Sequence, residues 1–462
     1  MTTSEIVSRR EIVREFRHSK SGLAGVGILL ALVVTTIYSV AAIPLESYRQ
    51  WNSPSFWIDL PKAAAPAWTN LGLGTKVPEH IVLHSEDASI SRSFQGGVVS
   101  EVHSYTVNFD YDSYPSDFML LYSARYSGVK PLLRIDVVRP DGLEFEIHFA
   151  SISPQQGDRP SISRVFSTSS TIVDKMKDNL DKFSYRQDPT RPQVMIFSDA
   201  NEKRVLKGQY VIRETFLLYG SNDDVVDSGV ILGGKVYGLM GTDELRRDLA
   251  VGILWGAPVA LFIGLTVSIS AVLIGLIYGI FAGYKGSRTD EGLMRINDIF
   301  YSLPVLPLLV ILSVTVGRSI FLITGFLVIF GWVGMAKISR SIALQLKNMP
   351  YVEAAKLMGQ SDTKIIFKHI IPQLLPLTFA SVAISVPVAI LGEAALSFLG
   401  LGDPSIPTWG QILHDANTAG AASRGLWWWI VPPGIMIALT GLAFVLIGNA
   451  LDAIVNPRSR RR

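Results

Sequence analysis

Apolar and polar positions follow three different rhythms along this chain. From Gly22 to Leu45 the run GLAGVGILLALVVTTIYSVAAIPL carries no charge, and about 20 apolar residues suffice to cross a hydrocarbon core. A first span over 22–44 is predicted. A cleaved signal peptide fits less well, because the apolar segment is long and Pro44 followed by Glu46 makes a poor cleavage site.

From Leu45 to about Asp243 no apolar run is long enough to span, and period-two alternation appears instead. Leu143, Phe145, Ile147 and Phe149 are expected on one face, with Glu144, Glu146 and His148 on the other. Pro140, Asp141 and Gly142 supply a turn after the Leu132 to Val138 run, so a β-hairpin is predicted. Tyr105, Val107, Phe109 and Tyr111 alternate in the same way. Ile172, Val173, Met176, Leu180 and Phe183 recur at helical spacing behind Thr171 and Asp174, which resemble a capping box. The segment reads as an α+β domain with more strand than helix.

From Leu249 onward apolar runs return. The uncharged stretch Leu249 to Tyr284 is too long for one span and too short for two. Pro258 is expected to divide it into an interfacial helix and a span from about Val259 to Ala282. Further spans are expected near Ile299 to Val316, Ser319 to Ala336, Gln373 to Phe398 and Trp428 to Ala450, six in all. Charge gives an independent check on this count. Arg9, Arg10, Arg14, Arg17 and Lys20 precede the first span. Lys285, Arg288 and Arg295 fall in one loop, and Lys337, Arg340, Lys347, Lys356, Lys364 and Lys368 in another. Arg458, Arg460, Arg461 and Arg462 close the chain. Six spans with both ends inside put all of these in the cytoplasm, as the positive-inside rule requires. Arg318 is the exception, at a tight outer turn. The expected organisation is a cytoplasmic segment 1–21, a span 22–44, an extracytoplasmic domain 45–243, a membrane domain 244–455 with a cytoplasmic loop 341–372, and a basic tail 456–462.

Composition agrees with a bilayer as solvent. Of 462 residues 48% are hydrophobic and 18% charged, with a mean hydropathy of +0.33, which excludes an ordinary soluble enzyme. With no cysteine there is no disulfide, thiolate nucleophile or cysteine metal site. A net charge of +3 gives nucleic-acid binding no support. No metal-binding or catalytic motif is found: the seven histidines form no H-E-x-x-H, and no serine sits in a G-x-S-x-G elbow. Gly233, Gly234 and Lys235 are followed by Val236, so there is no phosphate-binding loop either.

Gly275, Gly279 and Gly283 recur every four residues on one helix face, where a neighbouring helix can approach closely. In the loop between the fourth and fifth expected spans, Tyr351 to Leu357 is a good helix former that Gly359 can stop. Ile365, Ile366, Ile370 and Ile371 give the next stretch an apolar face, and Pro372 follows. An apolar loop outside the bilayer implies either a cytoplasmic protein partner or an amphipathic helix resting on the membrane. Trp427, Trp428 and Trp429 read as an interfacial anchor rather than a ligand platform.

The run EAAKLMG at Glu353 to Gly359, with IIP ending at Pro372, resembles the EAA loop of ABC importer permeases. The likeness extends to the C-type subunit of the oligopeptide/dipeptide/nickel branch. It is carried by LMGTDELRRDL at Leu239 to Leu249, YSLPVLPLLVIL at Tyr301 to Leu312, LGEAALSFLGLG at Leu391 to Gly402, PTWGQIL at Pro407 to Leu413, and GNALDAIVNPR at the end. The resemblance implies an α-helical membrane protein with six transmembrane helices, of the type I importer permease kind; the large α+β, strand-rich extracytoplasmic domain after the first helix is read from the alternation above and not from the family. It implies Glu353, Ala354, Ala355, Gly359 and Pro372 as the residues coupling to an ATPase. It implies as partners a second permease subunit in a heterodimer, two ATPase subunits that hold ATP-Mg, an extracytoplasmic solute-binding protein and the lipid bilayer. This chain itself would bind no cofactor and catalyse no reaction. Peptides are the cargo expected first, with nickel or a sugar as alternatives. A membrane-anchored enzyme or a sensor would leave the motifs unexplained.

Three departures stand out. The resembled family usually has glycine where Arg246 stands, aspartate where Asn449 stands, and a much shorter connection after its first span. Glu393 is a carboxylate inside a span, for which two readings are open: a functional site, or a structural hydrogen bond that fixes the outer loop.

Overall fold

The computed structural model describes residues 9–72, 74–152, 162–220 and 222–455, without the side chains of 9–13 and 455. The side chains of Arg9 and Arg10 and the whole basic tail 456–462 lie outside the described residues. The chain divides into two compact units, one formed by 54–250 and the other by 1–53 together with 251–462.

The first unit packs two antiparallel sheets through one shared core. One sheet has the order β1–β9–β4–β7, from Ile81–His84 (β1), Asp224–Leu232 (β9), Phe118–Arg125 (β4) and Ser163–Phe166 (β7). The other has the order β2–β3–β8–β5–β6, from Ser89–Gln95 (β2), Val98–Phe109 (β3), Gly208–Leu218 (β8), Leu132–Val138 (β5) and Glu144–Ser151 (β6). Alternation drives their inner faces together. Tyr105, Val107 and Phe109 of β3 meet Phe118, Leu120 and Tyr122 of β4 in the same apolar cluster.

The expected hairpin is present as β5 and β6, with Gly142 at φ +82° in the turn. Its alternation departs from expectation, however. Ile135 pairs with His148 and Asp136 with Glu146, so Ile147 is an extra residue on β6. The bulge reverses the faces beyond it. His148 is therefore buried and Phe149 is 47% exposed. The helix near Thr171 is also shorter than expected. It spans Ser170–Lys177 with Ser169, not Thr171, at its N-cap, and Leu180 and Phe183 reach the core from beyond its end.

Arg246 has φ +66°, the left-handed conformation that glycine adopts without strain. This is the position where the resembled family usually has glycine. Here the guanidinium donates to the Leu60 carbonyl at 2.6 Å and pairs with Asp117. Beside it, Arg247 and Asp243 form a buried pair at 2.5 Å.

The second unit is helical. Its principal helices are α1 (Lys20–Ala42), α2 (Leu249–Lys285), α3 (Ser287–Ser302), α4 (Val305–Thr315), α5 (Ile320–Leu346), α6 (Pro350–Leu357), α7 (Asp362–Ile365), α8 (Ile371–Phe398), α9 (Trp409–Thr418) and α10 (Trp427–Val455). Among the described residues five helices are long and apolar enough to cross a membrane: α1, α2, α5, α10 and the continuous stretch 362–398. The pair α3 and α4, bent by 74° at Leu303 and Pro304, makes a sixth if it forms one span.

Pro258 does not divide α2, which runs through it. The proline cannot donate to the Leu254 carbonyl four residues back; one residue earlier, the Ile253 carbonyl accepts from the Trp409 indole at 2.9 Å. Helices in lipid tolerate proline when such a donor is at hand. The expected loop 341–372 is largely helical, with Lys337 and Arg340 inside α5. Arg340 pairs with Asp290 of α3 at 2.5 and 2.6 Å. Of the three tryptophans, Trp427 is 41% exposed, whereas Trp428 and Trp429 are buried; two of the three are core residues rather than anchors.

Candidate functional site

Between α5 and α8 the chain turns a corner built by local rules. Pro350 occupies the first turn of α6, where its missing N–H costs nothing. The helix ends in a Schellman motif. Gly359 lies at φ +76° and donates to the Lys356 carbonyl at 2.9 Å, while Gln360 donates to Ala355 at 3.1 Å. The Ser361 hydroxyl then caps α7 by accepting from the Lys364 amide. Next comes a π-helical turn over Ile366–Ile370. Pro372, second residue of α8, has no N–H and would crowd the carbonyl four residues back, so the backbone widens there.

One face of this corner is sealed by the chain itself. Val352, Ala355, Ile365, Ile366 and Ile370 are buried in one cluster with Leu276, Ile280 and Tyr284 of α2 and Ala343 of α5. The isoleucines therefore need no partner to cover them, contrary to the sequence argument. What stays outside is the tip: Glu353 and Ala354 are exposed, and Leu357 and Met358 are 90% and 72% exposed. Glu353, Ala354 and Gly359 share this exposed corner, Ala355 faces inward, and Pro372 lies beyond the π turn.

Side chains that the sequence reading did not single out tie the corner down. Asp362 accepts a hydrogen bond from the Tyr284 hydroxyl at 3.0 Å and pairs with Lys285 at 2.6 Å. The Lys356 ammonium lies 4.9 Å from the centre of the Tyr284 ring. His369 bonds Gln360 at 3.0 Å. The only signal available in the sequence was a Tyr-Lys pair closing an apolar run.

The three glycines of α2 lie against α5. A Cβ on Gly275 would sit 2.5 Å from the Trp332 carbonyl oxygen, and one on Gly283 would sit 2.6 Å from that of Arg340. A Cβ on Gly279 would collide with the Ala336 carbonyl and the Ser339 hydroxyl. Ser339 donates across the contact to the Gly275 carbonyl at 3.0 Å. Such close backbone approach is how helices gain packing where lipid supplies no hydrophobic drive.

Glu393 is buried in α8 and accepts from the Ser397 hydroxyl at 2.6 Å and from Thr408. Thr408 in turn accepts from the Gln411 amide at the start of α9. The carboxylate thus links the end of α8 to the cap of α9.

Comparison with known proteins places the chain in a family. A family model described as "Binding-protein-dependent transport system inner membrane component" matches residues 275–461, wholly within the helical unit. The dipeptide transport system permease protein of Bacillus subtilis is 39% identical over 222 residues, covering 48% of this chain and 69% of its own. The oligopeptide transport system permease proteins of Bacillus subtilis and Haemophilus influenzae are 37% and 38% identical over 72% and 71% of their lengths. The chain therefore belongs to the inner-membrane permeases of binding-protein-dependent ABC importers, in the branch of the dipeptide and oligopeptide permeases.

Proposed function

We propose that this chain conducts peptides across the membrane as one half of a permease heterodimer driven by two ATPase subunits, one of which docks on the corner at Glu353 to Gly359. The observation that carries this reading is the division of that corner into two faces. Val352 and Ala355 are held by α2 and α5, while Glu353, Ala354, Leu357 and Met358 are offered to the outside. Force applied at the tip would reach the spans through a rigid contact rather than a loose loop. Peptide cargo is supported by the names of the relatives, and the ATPases and solute-binding protein by the family. Both termini would be cytoplasmic, and the extracytoplasmic domain 45–243 would form part of the docking surface for the binding protein. Glu393 would position the outer loop through Ser397 and Thr408 rather than contact solute.

The test uses the reconstituted transporter. Glu353→Arg and Gly359→Pro should leave the subunit in the membrane but abolish the ATP hydrolysis that peptide-loaded binding protein stimulates, because proline cannot adopt φ +76°. Normal coupled uptake in both variants would overturn the docking role.

A further inference from the structure

We propose that a cavity at mid-depth in the helical unit, built around Ser268, holds the backbone amides of the peptide during passage; this rests on the peptide reading above. Ser268 stands near the middle of the 37-residue α2. Its hydroxyl is buried and has no hydrogen-bond partner among the described residues. The Thr36 hydroxyl of α1, like that of Ser268, is buried without a partner among the described residues. Four other span hydroxyls bond the carbonyl four residues back: Ser313 to Leu309 at 2.7 Å, Thr324 to Ile320 at 2.7 Å, Thr378 to Leu374 at 2.8 Å and Thr440 to Met436 at 2.7 Å. That local bond is how a hydroxyl is ordinarily satisfied where no water is available. Ser268 forgoes it and lines a cavity of about 320 Å³.

The walls come from three helices. Ser268 and Ala271 belong to α2, Phe330 and Gly331 to α5, and Ser385 and Val388 to α8. A Cβ on Gly331 would press on the Ala271 methyl at 3.0 Å, so glycine lets α5 approach α2 closely at this wall. The lining residues carry no charge. A metal ion would lose its hydration there without gaining a ligand, which is costly. A peptide group is neutral and has one donor and one acceptor. Each serine hydroxyl can supply the complement of either, and the apolar walls accept side chains of varied kind.

Because the chain contains no cysteine, S268C carries a single thiol. In the complete transporter, assembled with its partner chains in membranes, S268C is treated with the small hydrophilic reagent aminoethyl methanethiosulfonate, and modification is read on this chain by mass. S268C should react, and at least about fivefold more slowly during transport of a peptide that the unmodified protein imports. L273C, on an exposed flank of α2, should show no such protection. S268A should assemble with its partner chains, and its uptake KM should rise about fivefold. An S268C that never reacts, as expected of a cavity filled by lipid, overturns the site. Reaction unaffected by a solute that is demonstrably imported, or an unchanged KM in S268A, overturns it too. If the unmodified transporter imports nickel or a sugar and that solute protects S268C, the peptide reading falls and the peptide assignment falls with it.

Discussion

The carboxylate of Asp362 lies 2.6 Å from the ammonium of Lys285, joining the first turn beyond the exposed corner to the last residue of α2. Both side chains are nearly half exposed, so the pair contributes less than about 1 kcal/mol to stability. Its importance is positional. Asp362→Ala should leave thermal unfolding within about 2 °C of the parent while reducing peptide-stimulated ATP hydrolysis severalfold in the reconstituted transporter. Full stimulation would mean that burial of Val352 and Ala355 alone holds the corner.

The glycine contact between α2 and α5 leaves no room for a side chain. Gly279→Val should remove folded protein from the membrane fraction, since the colliding atoms belong to the α5 backbone. Ser339→Ala deletes a hydroxyl whose single proton is shared between the Gly275 carbonyl at 3.0 Å and the Met335 carbonyl of its own helix at 2.8 Å, which is expected to cost about 0.6–1.7 kcal/mol. Quantifying both variants by thermal unfolding in detergent separates the steric from the hydrogen-bonding contribution.

Arg246 combines an unfavourable backbone with favourable side-chain bonds. Arg246→Ala keeps the left-handed conformation, which costs a non-glycine residue about 1–2 kcal/mol, and loses the bonds to Leu60 and Asp117. Arg246→Gly loses the same bonds but removes the strain. The glycine variant should therefore be the more stable of the two by about 1 kcal/mol, measured as the difference in unfolding midpoint.

Glu214 of β8 lies directly across from His103 of β3 in the strand-rich unit. It is fully buried, and neither carboxylate oxygen has a partner among the described residues. Burial, helped by the charge of Asp227, pushes its carboxyl well above its ordinary value of 4.5. The folded state thus holds this proton more tightly than the unfolded state. Stability from this group is greatest in acid and declines as pH rises from 4.5 through the folded pKa. Glu214→Gln should abolish this contribution to the pH dependence and stabilise the unit at pH ~8 relative to the parent. Amide exchange of β8 in the full chain at pH ~5 and pH ~8 reads the effect; equal slopes in parent and variant would show that Glu214 ionises freely.

The sequence by itself determined that most of the stretches read as spans are long and apolar enough for the bilayer, where the β5–β6 hairpin turns, and where the chain turns a corner at Gly359. Each of these depends on local quantities: segment length, residue period, and the freedom of a glycine such as Gly359. Only the tertiary structure decided what distant residues do to those segments. Pro258 leaves α2 whole, and Trp409, remote in sequence, donates to the Ile253 carbonyl in the turn before it. Phe149 faces outward because a bulge at Ile147 shifts the pairing with β5. The isoleucines after Gly359 need no partner because α2 and α5 cover them. Asp362 acquires its place from Tyr284 and Lys285, whose approach no periodicity reveals. Local pattern selects the element; where an unpaired carbonyl, carboxylate or hydroxyl finds its partner depends on how the elements pack.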